Sequence, residues 1–354
     1  MISIVAIVLV LGALIFFHEL GHFAVAKSMG IGVRTFALGF GKKVAGFTLG
    51  GTEYRLCLVP LGGYVQLVGE SPGEELSRED DPGESFSRRP PWQRMLVVAA
   101  GPVFNFVLAL VIYAGIFLIV GQRMLAPTIG SVLDNTPAQQ AGLRSGDRIV
   151  SIQGEPINYW HQLAEHIQGA AGERLLLRVE RGDTLRTFRV TPRMETTENI
   201  FGEQVEVARI GIEVAGDAIY RDLGPLEALG AGAKQTWQVV RLTILGLVKI
   251  IQQAVPLKSL GGPILIAKLV GEQAQQGLVD VLSLTALISV NLGILNLLPV
   301  PVLDGGHLLF FGLETVLGRP VDPKWREMAM RVGLSLLIAL MILVIYNDLF
   351  RLFH

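Results

Sequence analysis

The sequence predicts an α-helical polytopic membrane protein of about four transmembrane helices, with a membrane-associated β-hairpin region and one inserted α+β domain. Three observations predict it. Only 17% of the 354 residues are charged, against about a quarter in soluble proteins, and the mean hydropathy is +0.49. Four apolar runs are long enough to cross a hydrocarbon layer about 30 Å thick at about 1.5 Å per helical residue. Between the second and third runs the chain reads as ordinary soluble sequence.

The first run covers residues 2 to about 27. It lacks a basic leader and a small-residue cleavage site, and it holds His18, Glu19 and His22, so it reads as a span and not as a signal peptide. The others cover about 95–121, 278–298 and 328–350. Lys27, Arg34, Lys42 and Lys43 follow the first run, Arg88, Arg89 and Arg94 precede the second, and Arg319, Lys324, Arg326 and Arg331 separate the last two. Basic residues near span ends mark the cytoplasmic side, which puts the amino terminus and the 122–277 region on the other face.

Residues 28–70 change to short alternating apolar runs, such as Glu53 to Val59, broken by Gly39, Gly41, Gly50, Gly51, Gly62 and Gly63. This pattern predicts strands or hairpins close to the membrane. Residues 71–91, with Glu74, Glu75, Asp80 and Asp81, read as a solvated loop. From Pro127 to about Val214 the chain is long enough to bury a small core, with strand-like runs at Arg174–Val179 and Thr187–Val190 and a helix-like stretch from Trp160 to Ile167. Residues 226–256 mix Lys234, Arg241 and Lys249 with apolar stretches and read as a helix lying on the membrane. The expected divisions are 1–121, 122–215, 216–277 and 278–354.

A net charge of −1 leaves no basic field for phosphates, which argues against a nucleic-acid partner. Cys57 is the sole cysteine, so disulfides and thiolate-rich metal sites are excluded and any metal rests on His, Asp or Glu.

His18-Glu19-Leu20-Gly21-His22 is an H-E-x-x-H pattern in the first span. Its i, i+4 spacing puts both imidazoles on one helix face, the arrangement that holds a zinc ion. Glu19, beside a ligand without being one, is placed to take a proton from a metal-bound water. A purely structural role is the alternative, but three ionisable groups inside a span cost several kcal/mol unless a function retains them. A third ligand must come from elsewhere. Asp304 is the leading candidate, directly after the third run in Asn296-Leu297-Leu298-Pro299-Val300-Pro301-Val302-Leu303-Asp304-Gly305-Gly306, where two prolines stop a helix and two glycines permit close backbone approach. A helix-capping role is its competing reading, and His307 is a weaker ligand candidate. His161, His166 and His354 read as surface residues.

These motifs, with Gly101-Pro102-Val103-Phe104-Asn105 opening the second span, resemble the site-2 proteases, intramembrane zinc metalloproteases of the bacterial regulator of sigma-E protease type. The resemblance covers nearly the whole chain. It implies one Zn²⁺ on His18, His22 and Asp304, Glu19 as base, and Asn296 as a polar group near the reacting carbonyl. Asn135 to Ile149 and Ile152-Gln153-Gly154 resemble protease-associated PDZ domains, so the insert is expected to be PDZ-like. Arg209-Ile210-Gly211-Ile212-Glu213-Val214 resembles their peptide-binding strand.

Residues 53–68 resemble the family's membrane-associated hairpin, which makes Gly62, Gly63 and Tyr64, with Ile210, Gly211 and Ile212, candidate substrate-binding residues. The implied substrate is a single-pass membrane protein, an anti-sigma factor already trimmed outside the membrane by a site-1 protease. The implied location is the bacterial inner membrane, with the active site towards the cytoplasm and the PDZ-like domain periplasmic. The relatives with two tandem PDZ domains differ from this chain, which has room for one. A metal-binding transporter and a noncatalytic PDZ scaffold are the alternatives: the former needs more polar residues in the other spans, and the latter has no use for Glu19.

Overall fold

A computed structural model describes residues 2–70, 81–199, 201–259 and 261–353. Glu74, Glu75 and Asp80 of the expected loop, and His354, lie outside these residues. In chain order the structure begins with α1 (Ile2–Ser28), the paired strands β1 (Val33–Leu49) and β2 (Thr52–Leu67), and α2 (Pro91–Ile119). There follow β3 (Gln122–Leu125), β4 (Ile129–Val132), α3 (Pro137–Ala141), β5 (Arg148–Ile152), β6 (Glu155–Pro156) and α4 (Trp160–Gly169). Next come β7 (Leu175–Arg181), β8 (Thr184–Val190), β9 (Arg193–Glu198), β10 (Gln204–Arg209), β11 (Ile212–Val214) and β12 (Ala218–Arg221). Helices α5 (Pro225–Ile251), α6 (Pro263–Gln276), α7 (Leu278–Asn296), α8 (Asp304–Leu317) and α9 (Pro323–Phe353) complete the described chain.

The chain divides into two units: Met1–Gly115 with Leu229–Val248 and Pro256–His354, and Ile116–Ala228 with Lys249–Val255. In the first unit, α1, α2, α7 and α9 are the described helices long and apolar enough to cross a membrane, matching the four expected spans. With no hydrophobic drive between helices in lipid, close approach depends on small residues. Gly21 supplies it here, because a methyl on its α-carbon would run into the Ala100 carbonyl of α2. The middle of α5 lies beside two spans: Gly232 abuts the Ala114 backbone of α2, and Thr243 Oγ1 donates to Asn291 Oδ1 of α7 at 2.7 Å. Asp348, buried in α9, caps α6 by accepting from the amides of Gly262, Ile264 and Leu265 at 2.9–3.1 Å. Its carboxylate thereby satisfies amides that a helix start leaves unpaired.

Gly50 and Gly51 turn the hairpin, both with positive φ, as a two-residue turn between right-twisted strands requires. The strands do more than form a ladder. Residues 35–38 of β1 pair with Glu53 to Leu56 on one side and with Gly63 to Gln66 on the other. Chain 63–67 thus forms an edge whose outer side has no strand partner among the described residues. Phe40, Val44, Phe47, Leu49 and Leu58 of the two strands are exposed and apolar, which suits the expected membrane-associated hairpin.

The second unit is built on a four-stranded antiparallel sheet of order β6-β5-β7-β8. Ile149 and Ile152 of β5, Leu177 and Val179 of β7, and Leu163 of α4 meet Ile129 and Ile210 in its core. The β3–β12 ladder runs from Gln122↔Arg221 to Leu125↔Ala218. Backbone pairing therefore carries this unit past residue 215, where sequence composition alone ends it.

Asp147, with no exposed surface, takes Arg181 Nε at 2.6 Å and its terminal nitrogen at 2.7 Å, and the Arg144 amide at 2.9 Å. Burial pushes its carboxyl up, but Arg181 and Arg144 outweigh that and hold it below the usual carboxylate range. A depressed folded-state value means stability that is present above an unfolded pKa of about 3.9 and lost as pH falls through the folded value. Asp147→Ala, which leaves Arg181 without its partner, is expected to destabilise this unit by about 3 kcal/mol at neutral pH. The loss should shrink as pH falls below the unfolded value and through the folded one, as thermal melts across pH would read.

Candidate metal centre

Three helices converge on one point. His18 and His22 stand one turn apart on α1, their rings edge to face with centroids 4.9 Å apart. Asp304 comes from the opposite end of the sequence and opens α8. The Pro-rich turn after α7 brings it there: Val300 N donates to Leu298 O at 2.7 Å and Leu303 N to Val300 O at 2.8 Å. Gly305 and Gly306 make the turn possible, since a methyl on the first would strike the carbonyls of Leu297 and Leu298, and one on the second the Val300 carbonyl and the Pro301 α-carbon.

His18 Nε2 lies 3.3 Å from His22 Nε2 and 3.2 Å from Asp304 Oδ2, and His22 Nε2 lies 3.7 Å from Asp304 Oδ1. A tetrahedral zinc ion with bonds of about 2.0–2.1 Å separates its ligands by about 3.4 Å, so the donor set fits the metal in kind and in spacing. These are the described residues that form such a group. Oδ2 of Asp304 is buried with no hydrogen-bond partner, and His22 Nδ1 donates to Val97 O at 2.9 Å, which turns the lone pair of its Nε2 into the centre. A buried carboxylate oxygen with no hydrogen bond, set among imidazole nitrogens at ligand spacing, suits a cation. The capping alternative for Asp304 fails on geometry: Leu303 is the N-cap of α8, no side chain bonds to that cap, and the carboxylate faces the imidazoles.

Glu19 follows His18 and accepts a backbone hydrogen bond from Val65 of the edge strand. Gly63 makes that approach possible, because a methyl there would lie 3.3 Å from Glu19 Cγ, 3.1 Å from Ile15 and 2.9 Å from the Ala37 carbonyl. Gly62, at φ +124°, packs on the Phe40 ring, which stacks on Tyr64 at 6.3 Å. Of the three hairpin candidates, Gly63 sits beside Glu19, while Gly62 and Tyr64 pack against Phe40. Asn296, half-buried, ends α7 just before the turn to Asp304. His307 stands outside the group, with Arg326 donating towards its Nδ1 at 3.3 Å.

The three candidates of the inserted unit separate. Ile210 is buried in the core, Gly211 has φ +80°, and both carbonyls accept, from Ala138 N and Leu133 N. The expected continuous strand from Arg209 to Val214 is therefore interrupted. Only Ile212, which opens β11 opposite Val132 of β4, belongs to a strand with an unpaired side among the described residues.

Two residues of α2 escaped the sequence reading of the site. Gly101 lies against both imidazoles, and Asn105, with no exposed surface, reaches His18 Nδ1 at 3.1 Å. Their spacing to Val97, four and eight residues on, was the available signal: one stripe of α2 faces the two histidines.

An H-E-x-x-H pair and a distant carboxylate inside a bundle of membrane-spanning helices define a multi-pass membrane metalloprotease. Comparison with known proteins gives the same class. A profile of peptidase family M50 matches residues 6–340, and the chain belongs to that family, the site-2 proteases. A Rhizobium meliloti (strain 1021) relative that carries a zinc-metalloprotease name is 36% identical, over 96% of this chain and 94% of its own. Zinc metalloprotease RasP of Geobacillus kaustophilus is 33% identical, over 99% of this chain and 98% of its own. Part of the chain, 25%, aligns with 84% of the PDZ domain of the SdrC-like protein from Listeria monocytogenes at 22% identity and a TM-score of 0.21.

Proposed function

We propose that this metalloprotease is an intramembrane endopeptidase that cuts transmembrane segments of single-pass membrane proteins, with one zinc per chain. The observation that carries the reading is the juxtaposition of the His18, His22 and Asp304 donor set, Glu19, and the edge formed by residues 63–67. When bound, zinc supplies an acidified water and a Lewis acid for the scissile carbonyl. His18, His22 and Asp304 hold it, and Glu19 takes the proton from the water and passes it to the leaving amine. A substrate added to the outer side of 63–67 would be held extended, with its peptide bonds freed from helical hydrogen bonding and open to attack. Asn296 is placed to bond the reacting carbonyl.

His22 lies five residues before Lys27, about 7–8 Å along α1, so the centre faces the cytoplasmic leaflet of the bacterial inner membrane. The inserted PDZ-like unit is then periplasmic. Envelope signalling is the setting this arrangement fits, with an anti-sigma factor, trimmed earlier by a site-1 protease, as the substrate.

Removing one of three ligands tests the centre. Asp304→Ala is expected to weaken zinc binding by more than tenfold and to abolish cleavage of a generic transmembrane reporter. Full zinc occupancy in that variant would sink the assignment and move the search to His307.

The inserted unit selects substrates by excluding bulky external domains, since a steric block needs no affinity, whereas a single edge-strand contact is weak. Removing 127–214 spares β3 and β12, which pair with each other in the intact protein. The shortened protein is expected to cut untrimmed substrates that the intact one refuses. Slower cleavage of trimmed substrates would instead mark tail capture, and unchanged rates for both would eliminate each role.

A further inference from the structure

We infer that Asn105 is a positioning residue that fixes the tautomer of His18, with its amide oxygen accepting the Nδ1 proton. The inference rests on the zinc-site reading above and extends it to a residue that does not itself touch the metal.

Asn105 is a polar side chain with no exposed surface, and its amide lies against the His18 ring, with the end drawn as Nδ2 3.1 Å from Nδ1 and the end drawn as Oδ1 unpartnered. Its position is set from two sides. The backbone belongs to α2, and the Asn105 carbonyl accepts from Ser289 Oγ of α7 at 2.7 Å. The side chain is therefore held between two spans with little freedom to leave the ring.

The chemistry of the ring then decides which end of the amide faces it. Nε2 of His18 is the atom that meets Asp304 and His22, so it supplies the lone pair. A neutral imidazole with a free pair on Nε2 carries its proton on Nδ1, and that proton needs an acceptor. The two ends of a side-chain amide have the same outline, and hydrogen-bond chemistry assigns them. With Nδ2 towards Nδ1, two donors would oppose each other and the buried Oδ1 would stay unpartnered. With Oδ1 towards Nδ1, one sound hydrogen bond forms. Either orientation leaves one amide atom without a partner, but only the second makes a bond to a metal-bound histidine. The His22 side of the site solves the same problem with the Val97 carbonyl, eight residues earlier on the same helix.

The test uses the full-length protein in detergent, with zinc affinity from chelator competition and the absorption spectrum of the cobalt-substituted form as readouts. Asn105→Leu keeps the branched outline with more bulk and removes the acceptor, and is expected to weaken zinc binding by about 10–100-fold. Asn105→Asp, which can accept but not donate, is expected to stay within about threefold of the unmodified protein and to keep its cobalt spectrum. Metal-free melting curves report whether each variant folds, and Asn105→Ala replaces Leu with the same expectation if the larger side chain prevents folding. Unchanged zinc affinity in Leu or Ala, or an Asp variant as weak as Leu, would overturn the inference. Failure of the zinc-site reading itself looks different: the unmodified protein would then bind zinc no better than His18→Ala.

Discussion

Glu19→Gln is expected to keep its zinc and lose proteolysis by about 10²–10⁴-fold, the range in which a positioned base contributes to a hydrolytic rate. The substitution is nearly isosteric. It leaves His18, His22 and Asp304 in place, and the amide still reaches the edge strand whose Val65 amide bonds the native carboxylate. What it removes is the ability to take a proton. Measuring zinc content together with cleavage of one transmembrane reporter separates this from any ligand variant, which should lose both. A Gln variant that still cuts at a tenth of the normal rate would end the assignment of Glu19 as base.

Gly101→Ala is expected to empty the metal site without altering any ligand. A methyl at this position would come within 2.8 Å of His18 Cε1 and 2.5 Å of His22 Cε1, and closer still to His22 Nε2. Ring atoms at the end of a mobile side chain could step aside, but these rings are held by Val97 and Asn105. Relief therefore has to move a liganding nitrogen, and we expect zinc affinity to fall at least 100-fold and cleavage to vanish with it. A metal-free melt makes the test specific. Gly to Ala inside a helix normally gains about 1 kcal/mol, which offsets part of the cost of moving the rings, so the metal-free variant should remain folded and melt close to the metal-free parent. Normal zinc affinity in Gly101→Ala would refute the proposed steric coupling.

Much of this was legible in sequence because each signal was local. The four spans follow from apolar length, and His18, Glu19 and His22 from a spacing that one helix turn explains. Asp304 was legible because acids are costly at a span end and because two prolines and two glycines flank it. Asn105 and Gly101 were not legible as parts of the site. Hydropathy marks α2 as a span without saying which of its faces meets α1, and only the packing turns Val97, Gly101 and Asn105 towards the imidazoles. The twofold pairing of residues 35–38 was hidden for a related reason: alternation predicts strands but not which neighbours they choose. Ile210 misled by the opposite route, since its resemblance to a binding strand was real in pattern while its side chain fills the core.

The metal ligands also set a timetable. His18 and His22 leave the ribosome before α2 and α7 are made, and Asp304 only after both, so the trio stays incomplete until α8 has emerged and folded back onto α1. Every nascent chain passes most of its synthesis with two imidazoles in the membrane and no carboxylate to complete the trio. A metalloprotease built in this order lacks a complete donor set while α1, α2 and α7 are being threaded, and only the fourth span, α9, is made after residue 304.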